Sequence, residues 1–212
     1  MNPLFSANPQ MSISGQDDYL LLNGKLWRNL YIGIKGNPYF LSGEYLSADI
    51  TFNGKVFSDR NIRFDIYNDE VVLWVNPSTI IILNKEMVDD FTIDYMNNKY
   101  HVIRMEEDST ALLSGYVVAY YEGPTTLFVK YRKEIDILAV DNKYDLFTQS
   151  HKIFVRKDGV LQQISGTRQL YKLLADRKTE LKNYVRQNKL RIMKSEPQTF
   201  ALILKYYDSL RH

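Results

Sequence analysis

Three carboxylate clusters, Asp65-Asp69-Glu70, Asp89-Asp90-Asp94 and Glu106-Glu107-Asp108, are the densest supply of acid–base chemistry in this 212-residue chain. Paired acids hydrolyse glycosidic bonds when they face each other across a cleft, and several oxygens together attract calcium. None of the three has the alternating ligands and central glycine of an EF-hand loop. Charged turns that keep strand ends solvated account for all of them. Histidine is scarce: His101 lies inside a strand pattern, His151 begins one and His212 is the last residue. Zinc needs three or four ligands at workable spacing, and no such set is present, so no metal site is expected. Ser114-Gly115 follows Leu112-Leu113 without the flanking glycine of a nucleophile elbow. Gly33-Ile34-Lys35-Gly36 matches neither a P-loop nor a dinucleotide fingerprint, so no cofactor is expected. The chain has no cysteine, which excludes disulfides, thiolate metal sites and a cysteine nucleophile.

Recognition chemistry is better supplied than catalytic chemistry. Tyrosine is the compositional outlier, with 16 against 10 Phe and 2 Trp. Tyr favours strands and presents an apolar face with a polar tip, which suits a half-exposed sheet or a face that binds sugar or peptide. The candidate ligand-binding residues are Trp27 and Trp74, followed by Tyr116, Tyr120 and Tyr121. The second feature is charge. The net charge is only +2, but from Gly166 to His212 there are 11 Lys/Arg against 4 Asp/Glu, a formal +7, and the rest of the chain is acidic. Two parts of opposite sign attract each other, or the cations solvate helices, or they face phosphate or anionic lipid. The basic stretch Lys178, Lys182, Arg186, Lys189, Arg191 and Lys194 lacks the aromatics, amides or recognition helix of a sequence reader, so nucleic acid is not the expected partner.

The elements that position these residues are mostly strands. Asn53-Gly54, Asn97-Asn98 and Asp158-Gly159 each separate short runs of β-branched and aromatic residues, and all three pairs tolerate the positive φ of a tight hairpin. Residues 1–18 are rich in Asn, Ser, Pro and Gln and read as a flexible leader. Strands are expected over 19–22 and 26–34, flanking an Asn23-Gly24 turn. They continue at 45–52, 55–57, 61–67, 71–75, 80–83, 90–96, 99–105, 113–121, 125–133, 144–148, 152–157 and 160–164. Turns every 8–12 residues predict an antiparallel β-sandwich or a strongly curved open sheet over 19–165, since parallel α/β crossovers would not fit the gaps. From Gly166 the pattern becomes helical: Thr167 and Asp176 are candidate caps, and Ser195 with Gln198 forms a capping-box signature around Pro197. Phe200, Ile203, Leu204, Tyr207 and Leu210 make one apolar stripe, predicted to dock on the sheet. The fold class is thus mainly β (α+β), with a basic C-terminal helical segment over 166–212.

Gly43–Phe57 (GEYLSADITFNGKVF), Ile62–Val75 (IRFDIYNDEVVLWV), Leu113–Tyr131 (LSGYVVAYYEGPTTLFVKY) and the helical tail from Leu170 to Tyr207 resemble uncharacterised secreted or cell-envelope β-rich proteins of Gram-negative bacteria. That resemblance implies a periplasmic or cell-surface location and a removed leader, with no activity to carry over. No basic n-region opens the chain and no apolar run approaches the roughly 20 residues that span a bilayer, so a cytoplasmic location stays open as the alternative. The reading is a non-catalytic envelope protein that binds or scaffolds a protein, lipid or glycan. The first alternative is a lipid or lipoprotein carrier, with acyl chains held on a half-open sheet under a helical lid. The second is a carboxylate-dependent envelope hydrolase.

Overall fold

The computed structural model describes residues 18–106 and 113–211. Eleven strands form a single antiparallel sheet in the order β1-β5-β4-β3-β2-β6-β7-β8-β9-β10-β11. They are β1 (Gly24–Leu26), β2 (Leu46–Phe52), β3 (Lys55–Asp65), β4 (Glu70–Asn76), β5 (Thr79–Leu83), β6 (Val88–Tyr95), β7 (Asn98–Met105), β8 (Gly115–Glu122), β9 (Thr126–Val140), β10 (Tyr144–Lys157) and β11 (Val160–Ile164). The helices α1 (Thr167–Leu173), α2 (Lys178–Gln187) and α3 (Pro197–Ser209) follow. The protein is therefore mainly β. Of the two forms left open by the sequence, the curved open sheet is the one adopted.

The curvature is strong, and two observations establish it. Strands β5 and β6 are four places apart in the sheet, about 19 Å if it were flat. They are joined only by Asn84 and a 3-10 turn, Lys85–Met87, which advances about 2 Å per residue. Phe64 on β3 and Tyr116 on β8 are also four places apart, yet their rings meet at 5.7 Å, and both touch Phe91 on β6. The sheet rolls over these residues. Alternation explains what fills the roll: Ile62 and Phe64 on β3 point inward, as do Ile50 and Phe52 on β2 and Phe91 and Ile93 on β6. The roll is tied shut where the β3–β4 turn reaches β8 and β9. There Asp69 accepts hydrogen bonds from Lys130 Nζ (2.8 Å), Lys85 Nζ (2.6 Å) and the Tyr116 backbone N–H. The Lys133 N–H also donates to the Ile66 carbonyl.

The helical segment covers the other end of the sheet. Leu127, Val129, Ile153, Val155 and Ile164 pack against Leu170, Leu174, Leu181, Phe200, Ile203, Leu204 and Tyr207. The α3 stripe docks as its spacing predicts, with Phe200, Ile203, Leu204 and Tyr207 fully buried. A buried carboxylate fixes its far end: Asp208 Oδ2 accepts from the Thr125 N–H (2.9 Å), the Thr125 hydroxyl (2.9 Å) and the Tyr121 hydroxyl (3.0 Å).

Several local expectations are corrected. Residues 19–22 form part of a 3-10 turn, Asp18–Leu22, rather than a strand. Gly24 opens β1 because β5 passes so close that a Cβ there would lie 2.2 Å from the Ile82 carbonyl oxygen. Beyond Leu26 the chain leaves the sheet, so the expected strand over 26–34 is absent; Trp27 keeps one backbone bond, to Ile80. Positions 55–57 and 61–65 belong to one continuous strand, bent where Asp59 takes φ 55°, and Ile66 and Tyr67 of the expected strand fall in the turn that follows. The Asn97-Asn98 turn is displaced by one residue: Tyr95 pairs with Asn98, leaving Met96 (φ 49°) and Asn97 (φ 60°) in the turn. The Asn53-Gly54 and Asp158-Gly159 turns fall where predicted.

The expected strands 125–133, 144–148 and 152–157 are two long ones, because charged Lys133, Glu134, Lys152 and their neighbours sit on solvated backbone that pairs as well as any apolar run. The capping residues also shift. Gly166, Arg177 and Glu196 occupy the N-caps, and none of the three helices has a side-chain cap bond. Asp176 instead accepts from Lys157 and the Tyr207 hydroxyl. The expected leader lies outside the described residues except for Asp18, which is buried in an ion pair with Arg60 at 2.7 Å.

Candidate functional site: a tyrosine-lined cleft

Where the rolled half of the sheet meets the helical half, a cleft of about 490 Å³ opens between β7–β10, the strap before β2 and the loop before α3. Strand parity supplies its floor. Val102, Val118 and Val129 pair across β7, β8 and β9 and are fully buried. Tyr100, Tyr120 and Tyr131 each lie two residues from one of these valines, on the same face. The Tyr120 and Tyr131 hydroxyls meet at 2.7 Å. On β10, His151 pairs with Tyr131 and Gln149 with Lys133. The strap adds Phe40, whose ring touches Tyr131 (4.7 Å) and Tyr100 (5.7 Å), and Ser195 closes the helical side.

The electrostatics suit binding rather than proton transfer. Burial raises the Tyr120 and Tyr131 hydroxyls above the usual phenol range, and the hydrogen bond with Tyr120 raises Tyr131 further. Both therefore stay neutral near pH 7 and act as hydrogen-bonding groups. Lys133 is lowered by burial, an effect opposed by Asp65. Its Nζ is fully engaged by the strap, donating to the Asn37 carbonyl (2.8 Å), the Tyr39 carbonyl (2.7 Å) and Asn37 Oδ1 (3.3 Å). His151 Nε2 lies 2.6 Å from the Lys194 carbonyl, pinning the loop that carries Ser195. The Gln149 and Ser195 side chains make no hydrogen bond among the described residues and face the cleft free. Half-buried tyrosine rings, the free Gln149 amide and hydroxyls converge there, and the Lys133 ammonium is already hydrogen-bonded.

Of the five residues singled out from sequence, only Tyr120 lies in this cleft. Tyr116 is buried among Phe64 and Phe91 with its hydroxyl unpartnered. Tyr121 holds Asp208. Trp74 is a half-buried residue of β4, and Trp27 lines a shallow depression with Pro77 and Ile80 at the opposite edge of the sheet. No family model, curated protein or solved structure matches this chain. The site thus rests on its own geometry. Its other members (Tyr100, Tyr131, Phe40, Gln149 and His151) were missed by sequence reasoning. The available signal was parity with Val102, Val118 and Val129.

The carboxylate clusters are largely committed to structure. Asp65 accepts from the Tyr67 and Asn68 N–H groups. Asp89 accepts from the Gly54 N–H and Asp90 from the Thr51 hydroxyl, while Asp94 pairs with Lys99. Glu106 lies 4.0 Å from Arg104, and Glu107 and Asp108 lie outside the described residues. No group of three or more His, Asp or Glu placed to hold a metal occurs among the described residues. No helix among them is long and apolar enough to cross a membrane.

Proposed function

We propose that this protein is a non-catalytic binding protein of the cell envelope whose ligand, a short neutral glycan segment, seats in the tyrosine-lined cleft. The observation that carries this is the convergence of the half-buried Tyr100, Tyr120 and Tyr131 rings with the unspent Gln149 amide and Ser195 hydroxyl in a cavity of ligand size. Sugar rings stack their apolar faces on aromatics and present hydroxyls to amides, which is the complement of this lining. The envelope location is supported by the resemblance of the four segments quoted above. The carrier alternative needs an apolar cavity beneath the helices. That interface is instead closed by Val129 and Ile153 against Phe200 and Ile203, all essentially without exposure. The hydrolase alternative needs two opposed, uncommitted acids, and among the described residues the clustered acids other than Glu70 are spent on turns and cations.

The test is protein-observed NMR of the tyrosine rings during titration with a panel of neutral mono- and disaccharides, using free acyl lipid and aromatic amino-acid amides as controls. Saccharides should shift the ring signals of Tyr100, Tyr120 and Tyr131, and Gln149→Ala should weaken the response about tenfold. Silence at those three rings across the panel defeats the glycan reading. Shifts induced by acyl lipid instead would favour the carrier.

A further inference from the structure

The opposite charges of tail and body do not neutralise each other in the fold. The tail docks by its apolar stripe, and the polar bonds that cross to the sheet are made mostly by its acids: Asp176 with Lys157, and Asp208 with Tyr121 and Thr125. Of its 11 Lys and Arg, only Arg177 (with Glu180) and Arg211 (with Asp158) form ion pairs among the described residues. Between Arg177 and Lys194 there are seven cations and one acid, and all seven cations are exposed.

Their arrangement is regular. At about 100° per residue, Lys178, Lys182 and Arg186 fall within an arc of about 80° on the outer side of α2, and exposed Lys189 follows in its C-terminal turn. Lys178/Lys182 and Lys182/Arg186 are like-charge pairs at i,i+4, a spacing that weakens a helix. The helix is held regardless, by buried Leu181 and by Tyr184 stacked on Tyr206 of α3 at 4.1 Å. One apolar side chain close to this ridge in sequence stands exposed: Met193, between Arg191 and Lys194.

We propose that this ridge docks the protein onto an anionic lipid bilayer, the cations meeting headgroup phosphates and Met193 entering the interface. Cations beside an isolated apolar side chain fit a headgroup layer. A nucleic acid would instead call for free aromatic faces, and Tyr184, the aromatic of α2, is already stacked. None of the ridge's cations lines the cleft, so the substitutions below test this reading apart from the glycan one.

The test is co-sedimentation of the full chain with vesicles of phosphatidylcholine alone and with vesicles containing about one-third phosphatidylglycerol, at low and high salt. Binding should require the anionic lipid, fall at high salt, and drop by on the order of 100-fold in a K182Q/R186Q/K189Q triple variant, since each cation contributes about fivefold. All three positions are exposed and removing the repulsion should leave the unfolding midpoint unchanged or raised, so lost binding would not reflect misfolding. Met193→Ser should weaken binding while leaving its salt dependence in place. Equal sedimentation with neutral vesicles, none with anionic ones, or an undiminished triple variant each overturns the proposal. So does salt-sensitive capture of a short DNA duplex without vesicle binding. Added saccharide should not compete.

Discussion

Replacing Asp208 by Ala should undock the C-terminal helix at a cost that follows from its hydrogen bonds. Its Oδ2 is the acceptor for the Thr125 N–H, the Thr125 hydroxyl and the Tyr121 hydroxyl. Thr125 is fully buried, so its two donors would be left without water or protein partners, whereas half-buried Tyr121 can turn toward solvent. Each buried donor left unsatisfied costs about 1–3 kcal/mol, which places Asp208→Ala at about 3–5 kcal/mol. Tyr121→Phe removes one donor and strands nothing, and should cost about 1 kcal/mol. Denaturant unfolding measures both, and hydrogen exchange localises the effect: α3 amides should lose protection before those of β2, β3 and β6. A double variant costing less than the sum of the two singles would mark the shared carboxylate. If Asp208→Ala lies within about 0.5 kcal/mol of the parent, or if protection falls uniformly, the carboxylate is not what holds the helix.

Three further outcomes are expected. Gly115→Ala should destabilise by at least about 2 kcal/mol, because the residue has φ 72° and its Cβ would lie 1.9 Å from Asp69 Oδ2, driving that carboxylate off Lys85 and Lys130; a neutral result in thermal unfolding would refute the closure described for the roll. Met96→Gly should stabilise by roughly 0.5–1 kcal/mol, since an exposed methionine now holds the left-handed first position of the β6–β7 turn. Asp65 is raised above the usual carboxylate range by burial, against the opposing hydrogen bonds from Asn68 and Tyr67 and the charge of Lys133. A carboxyl raised in the folded state binds its proton more tightly there, so its contribution is most favourable below the unfolded pKa of about 3.9 and declines as pH rises toward the folded one. Asp65→Asn should therefore compare better with the parent at neutral pH than in acid; denaturation midpoints showing no change in that difference would contradict the assignment.

The parts of the fold that were legible share a local cause. Asn53-Gly54 and Asp158-Gly159 announce their turns because left-handed backbone is a property of the residues themselves. The α3 stripe is equally local, being a matter of spacing. The failures were cooperative. Tyr19–Leu22 has strand composition but became a 3-10 turn with Asp18 tied to Arg60, and the polar middle of the β9–β10 arm pairs because each strand supplies the other's backbone bonds. The capping signals at Thr167 and Ser195 went unused because packing, not the caps, sets where those helices begin.

Composition and local pattern alone determined that this chain is an antiparallel β protein with a basic helical tail, because alternation and turn chemistry act between residues close in sequence. The tertiary structure decided how tightly the sheet rolls, and with it that Phe40, Tyr100, Tyr120, Tyr131 and Gln149 share one cleft while Tyr116 and the two tryptophans do not. It also decided that the tail's cations face outward instead of meeting the acidic body. Parity names the face on which a side chain stands; only curvature, summed over many strands, decides what that face encloses.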